Sequence, residues 1–130
     1  MAEIASLDDL RIRFGTSTPR RQFLRQVEII IDQLLVTKSA KQVYLFGSFV
    51  SGKASPNDVD LLVVMKASFS TTQVSGKVSE LFQHDVCRIR YHADLFWVTE
   101  AVGNARIEDL LEVFSRDREG RTQSIVEVKL

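Results

Sequence analysis

One cysteine, Cys87, in 130 residues excludes an internal disulfide and a cysteine zinc site and suits a reducing compartment. Net charge is also missing. The 17 Lys and Arg balance 17 Asp and Glu, and the pI is near 6.7. Such a balance gives no global attraction to nucleic acid, so DNA or RNA would need a local basic patch, and a long polynucleotide substrate is disfavoured. No apolar run reaches 18 residues, and the opening MAEIASLDDL has no basic region followed by an apolar stretch. The reading therefore expects neither secretion nor membrane spanning, but a cytoplasmic protein. Repeats, low-complexity segments and linkers are lacking as well. With 45% hydrophobic residues, the chain is expected to bury one modest core as a single domain over residues 1–130.

What is present concentrates between Leu45 and Val64, LFGSFVSGKASPNDVDLLVV. The apolar run Val43, Tyr44, Leu45, Phe46 reads as a buried strand, and Gly47-Ser48 breaks it where a short helix is expected to begin. The first N–H groups of a helix are free to meet phosphate, Ser48 adds a hydroxyl, and Gly47, without a Cβ, lets phosphate oxygens approach the main chain. Ser51, Gly52 and Lys53 follow as a flexible positive segment, with Lys53 either a further phosphate ligand or a solvated loop lysine. Ser55, Pro56 and Asn57 read as a turn into a strand over 58–65.

In a strand, residues i and i+2 share a face, so Asp58 and Asp60 point together while Val59 points into the core. Adjacent carboxylates repel, and a divalent cation between them removes the penalty; Mg2+ favours one or two carboxylates plus phosphate oxygens. An Asn-Asp pair entering a strand is also a common turn, and the Gly-Ser turn at this spacing is what favours the metal. Asp94 begins another strand pattern, ADLFWVT at 93–99, from which it would reach the same metal beside an incoming hydroxyl. The competing reading of Asp94 is a solvated or turn-capping carboxylate.

The frame is helical on either side. Thr18 is the expected N-cap, Pro19 the first helical position, and Phe23, Leu24, Val27, Ile30, Ile31, Leu34 and Leu35 recur at helical spacing. A second helix is expected from Thr71 or Thr72, with Val74, Val78, Leu81 and Phe82 as its stripe. Ile107, Leu110, Leu111 and Phe114 fit a helix or a strand, while Val126, Val128 and Leu130 alternate as a half-buried strand after a Glu119-Gly120 turn. Arg116, Arg118 and Arg121 bracket that turn and either grip an anion or stand in solvent. His92, two residues before Asp94, would share its strand face or be structural; Arg88 and Arg90 would share a face if extended; Phe96 and Trp97 read as core and interface bulk.

The order strand, Gly-Ser, Asp-x-Asp strand, helix, strand with one Asp resembles the DNA polymerase beta-type nucleotidyltransferase superfamily in its minimal, bacterial stand-alone form, over roughly residues 19–100. The resemblance implies an α/β (α+β) palm with a small mixed sheet and helices packed on it, residues 101–130 forming a C-terminal extension. It further implies transfer of a nucleoside monophosphate from an NTP, ATP foremost, to a hydroxyl, with Mg2+ or Mn2+ held by Asp58, Asp60 and Asp94 and the triphosphate by Gly47 and Ser48. A looser similarity, in TSTPRRQFL, GSFV…PNDVD and RDREGR…SIVEVKL, links the chain to an uncharacterised bacterial family of full-length stand-alone domains and brings no assigned substrate.

Small bacterial members of the superfamily are often encoded beside a toxin and modify it with AMP, and others are toxins acting on tRNA. Neutral charge favours the protein acceptor over tRNA. A non-catalytic nucleotide- or partner-binding module is the other class, against which the intact Asp triad argues.

Overall fold

The computed structural model describes residues 2–51, 56–117 and 119–130. In chain order its elements are β1 (Glu3–Ala5), α1 (Leu7–Phe14), α2 (Thr18–Val36), β2 (Ala40–Phe46), β3 (Val59–Met65), α3 (Gly76–Glu80), α4 (His84–Tyr91), β4 (Ala93–Thr99), α5 (Asn104–Phe114) and β5 (Val126–Val128). The strands form one mixed sheet in the order β1-β5-β2-β3-β4. β2 runs antiparallel to β3 and β5, whereas β3 pairs with β4, and β1 with β5, in parallel. The fold is therefore α+β with a small mixed sheet and helices on it, as expected.

Strand alternation sorts the side chains into two cores. Val43, Leu45, Val59, Leu61, Val63 and Leu95 face one side, where they pack with buried residues of α1, α2 and α4. Tyr44, Phe46, Leu62 and Val64 face the other, against Ile107 of α5. Phe114 of α5 stacks on Phe46 with ring centroids 4.4 Å apart. This packing resolves the 107–114 segment as helix, because only a helical period turns Ile107, Leu110, Leu111 and Phe114 to one side.

Several local expectations shift. Ser17, not Thr18, caps α2 by accepting from the Arg20 N–H, with Pro19 in the first turn. The single helix expected from Thr71 is divided into a 3-10 turn at Thr71–Gln73 and the short α3, with Val74 and Ser75 extended between them. Val74 is thus not in helical phase with Val78. β1 and α1 went unread in the sequence. β1 is three residues long and is specified by its partner β5, while α1 buries only Leu10 and Phe14 and is set by a Ser6–Asp9 capping box. No described helix is long and apolar enough to cross a membrane.

Cys87 is fully buried in the larger core. Burial, followed by the nearby Asp94 carboxylate, pushes its thiol from 9.0 up to about 11. As pH rises through this window the unfolded thiol ionises first, so the unfolded chain holds fewer protons and folding stability falls between about pH 9 and 11. At about 1.4 kcal/mol per unit, that amounts to roughly 2–3 kcal/mol. Guanidinium unfolding at pH 8 and 11 should show wild type losing about that much more stability than Cys87→Ala. The comparison cancels the Tyr44 and Tyr91 phenols, which burial also raises. Equal losses in the two proteins would mean that the thiol ionises as freely in the fold as outside it.

Candidate active site

The parallel register of β3 and β4 sets Asp60 directly beside Asp94. Asp58 lies one residue ahead of β3 rather than within it, yet it joins them: one carboxylate oxygen from each of the three lies within 4.8 Å of the other two. All three residues are half-buried. By strand alternation the set projects to the same side of the sheet as Phe46 and Leu62, the side covered in part by α5.

The antiparallel register of β2 and β3 pairs Phe46 with Asp60, which brings Gly47 over the Asp60 side chain. Gly47 has φ +80°, and a Cβ there would lie 2.1 Å from Asp60 Oδ2. The space a side chain would need at this glycine is thus taken by the Asp60 carboxylate. Residues 47–51 form a single α-turn instead of the start of a helix. The Ser51 N–H donates to Gly47 O at 3.1 Å and the Ser51 hydroxyl to Ser48 O at 3.1 Å. Lys53, Gly52 and Ser55 lie outside the described residues.

Arg20, which the sequence reading passed over, secures this turn from α2. Its Nε donates to Phe14 O at 2.7 Å, its Nη2 donates to Phe49 O, and its guanidinium lies 4.9 Å from the Phe49 ring centroid. At 3% exposure it is the one charged residue in the described core, and burial draws its pKa down. No periodicity in the sequence marks it, because the partners are carbonyls distant along the chain.

An imidazole and a guanidinium approach Asp94 from α4. His84 Nε2 is 3.4 Å and Arg88 Nε 3.7 Å from Asp94 Oδ1. Their spacing of i, i+4 puts them on one helix face, a signal available in the sequence, where Arg88 and Arg90 were weighed only for the case of an extended segment. Arg90 turns instead to Glu80, at 2.5 Å. Despite these neighbours, Asp94 Oδ1 is buried without a hydrogen bond. Three converging carboxylates form an all-oxygen set of the kind that suits a hard divalent cation such as Mg2+ or Mn2+.

Other expected residues fall elsewhere. His92 does not share the Asp94 face; it ends α4 in the left-handed conformation, φ +52°, and is exposed. Trp97 packs edge-on against Phe69 and Phe82 on the larger core side, but Phe96 is 39% exposed and leans on His84 and Phe114. Arg116 pairs with Glu112, and Arg121 with Asp117 and Glu119, so the turn is an ion-pair network among its own side chains. Arg118 lies outside the described residues.

Residues 4–129 match DUF6932, a family of unknown function. The chain belongs to this family. The DUF6932 match runs from within β1 to the residue after β5, so the stretch beyond residue 100 is matched together with the carboxylate strands. Neither the curated proteins nor the solved structures contain a significant match.

The Arg20 clamp is open to direct measurement. Arg20→Met leaves the Phe14 and Phe49 carbonyls without this donor, and at roughly 1–3 kcal/mol for each buried unsatisfied group the loss in urea unfolding should be about 2–6 kcal/mol. Arg21→Met, on the exposed side of α2, should change stability by less than about 0.5 kcal/mol. A matched response from the two variants would take the guanidinium out of the core.

Proposed function

We propose that this protein is a cytoplasmic, Mg2+-dependent nucleotidyltransferase that moves an NMP from an NTP, ATP foremost, to a hydroxyl on a partner protein. The observation that carries the reading is the convergence of Asp58, Asp60 and Asp94 beneath the Gly47-Ser48 turn, with one Asp94 oxygen buried and lacking a hydrogen bond. The adjacency of β2, β3 and β4, in that order, supports it further. It is the neighbourhood that a polymerase beta-type palm requires, with the Gly-Ser turn, the Asp-x-Asp pair and the third Asp on successive strands.

On this reading Asp58, just ahead of β3, Asp60 in β3 and Asp94 in β4 would hold the cation. The bound Mg2+, or Mn2+, supplies charge neutralisation and polarises the α-phosphoryl group. The Ser48 hydroxyl and the N–H groups of the 47–51 turn orient the β- and γ-phosphates. Asp94 accepts the proton of the attacking hydroxyl. The hydroxyl oxygen bonds to the α-phosphorus, the bond to the bridging β-phosphate oxygen breaks, and pyrophosphate leaves with the electron pair. Neutral net charge favours a protein acceptor, such as a toxin encoded alongside in a toxin–antitoxin pair. tRNA is the second acceptor; the local feature on its side is a groove between α1 and α2 lined by Arg21 and Arg25, beside Arg11, which pairs with Glu28 of the same groove. A non-catalytic binding module would leave three converging like charges without a purpose.

Ligand linkage tests the site. Saturating MgATP or MnATP should raise the melting temperature by on the order of 5 °C. Asp58→Asn combined with Asp60→Asn should abolish that rise, and so should Gly47→Ala, whose Cβ displaces the Asp60 carboxylate. Asp94→Asn should keep much of the rise yet lose nucleotide transfer from labelled ATP to protein by at least about 100-fold. Identical shifts in wild type and the double variant would remove the triad from nucleotide binding.

A further inference from the structure

We propose that the groove on the α5 face of the sheet is the nucleobase pocket of this enzyme, and that it takes a purine by stacking on Phe96 rather than by hydrogen bonds to the edge of the base. The inference rests on nucleotidyl transfer at the Asp triad and goes on to say which NTPs that site accepts.

The groove holds about 450 Å³, within the range of pockets for small organic ligands. Its floor is Leu62 of β3 with Phe96 and Val98 of β4, which alternation places on the α5 side. Leu110 and Phe114, one turn apart on α5, make one wall. The chain at 82–84 passes over the edge of β4, with Phe82 against Trp97 on one face of the sheet and His84 against Phe96 on the other, so the His84 ring makes the second wall. Phe96 is 39% exposed at the floor, a large apolar ring left partly in water. Its ring centroid is 5.3 Å from that of Phe114 and 5.2 Å from that of His84, so a flat aromatic ligand laid on Phe96 has two further rings beside it.

Strand register sets this floor against the carboxylates. Asp60 pairs with Asp94, and the next pair on the same face is Leu62 with Phe96. Two residues of strand separate the pairs by about 7 Å. A ribose bridges such a gap between an α-phosphate and its base. The Gly47-Ser48 turn lies past the end of β2, whose last residue, Phe46, pairs with Asp60, so the carboxylates stand between the turn and the groove. With the β- and γ-phosphates at the turn and the α-phosphate at the carboxylates, the base is carried along the strands onto Phe96.

The chemistry of the lining decides what the pocket can read. It contains no Lys, Arg, Asp or Glu among the described residues, and the His84 Nε2 is already 3.4 Å from Asp94 Oδ1. The Trp97 ring packs edge-on against Phe69 and Phe82 on the other face of the sheet. No side chain is thus placed to pair with the edge of a base, which stays toward the open mouth of the groove. Stacking tolerates any base because each has a π-face, and a site without hydrogen bonds to a polar edge separates ligands of like shape weakly. Adenine and guanine offer the same two-ring face and differ at the edge, whereas cytosine and uracil offer one ring. The pocket therefore accepts ATP and GTP alike and disfavours CTP and UTP.

The test is calorimetric binding of MgATP, MgGTP, MgCTP, MgUTP and the base-free probe Mg-tripolyphosphate to the full chain. In wild type the ATP and GTP Kd values should agree within about 3-fold, with CTP and UTP at least about 10-fold weaker. Phe96→Ala should weaken ATP and GTP by about 10-fold or more and leave tripolyphosphate unchanged, which also certifies the fold. Phe96→Trp, which keeps a stacking face, should bind ATP at least as tightly as wild type. The pocket is overturned by an unchanged ATP Kd in Phe96→Ala, by CTP binding as tightly as ATP, or by an equal loss of ATP and tripolyphosphate, which would make Phe96 a support of the carboxylates. A gap of more than about 10-fold between ATP and GTP overturns selection by stacking, since it requires groups that read the base edge. Wild type that binds tripolyphosphate as tightly as ATP refutes the pocket and leaves the nucleotidyl reading intact, whereas wild type that binds neither refutes that reading and the pocket with it.

Discussion

The in-register pairing of β3 with β4 forces two carboxylates, Asp60 and Asp94, into adjacent positions where like charges repel. The rest of the structure is arranged around that constraint. The opposite side chains of the same strands supply the restraint: Val59, Leu61, Val63 and Met65 are all fully buried against the helices of the larger core. A slip of one residue would turn these four outward and Asp60 inward, so the register is held by hydrophobic burial against the local electrostatic preference. From α4 the Arg88 guanidinium offsets part of the repulsion, and neither it nor His84 supplies a hydrogen bond to Asp94 Oδ1.

The turn after β2 depends on the same register. Gly47 passes so close to Asp60 that no side chain fits, and its positive φ directs the chain into the α-turn that displays Ser48. Arg20 then fixes Phe49 and, through Phe14, ties the turn to α1 and α2. Asp60, Asp94 and the turn are thereby held by regular elements, which is the arrangement a site needs when its groups must stay within a few tenths of an ångström.

The two sheet faces are covered unequally. α1, α2 and α4 cover one face, while α5 covers only part of the other, over Phe46, Leu62 and Val64. The carboxylates sit half-buried at the end of this second face, beside β4, the last strand of the sheet.

The sequence by itself determined the strands around Gly47, Asp60 and Asp94, the long helix α2 and the final strand, because period-2 and period-3.6 patterns are local and were clear there. It also determined that Asp58 and Asp60 share a face. It did not reveal β1 or α1, which are too short to show a pattern, nor the break between Thr71 and Gly76, where local turn geometry overrides an apolar spacing. Only the tertiary structure decided that Asp94 stands beside Asp60, that His84 rather than His92 approaches it, that Asp60 fills the space at Gly47, and that Arg20 grips Phe49. Each of these depends on strand order, register or burial between segments distant in the chain, and such contacts leave no periodic trace in the residues that make them.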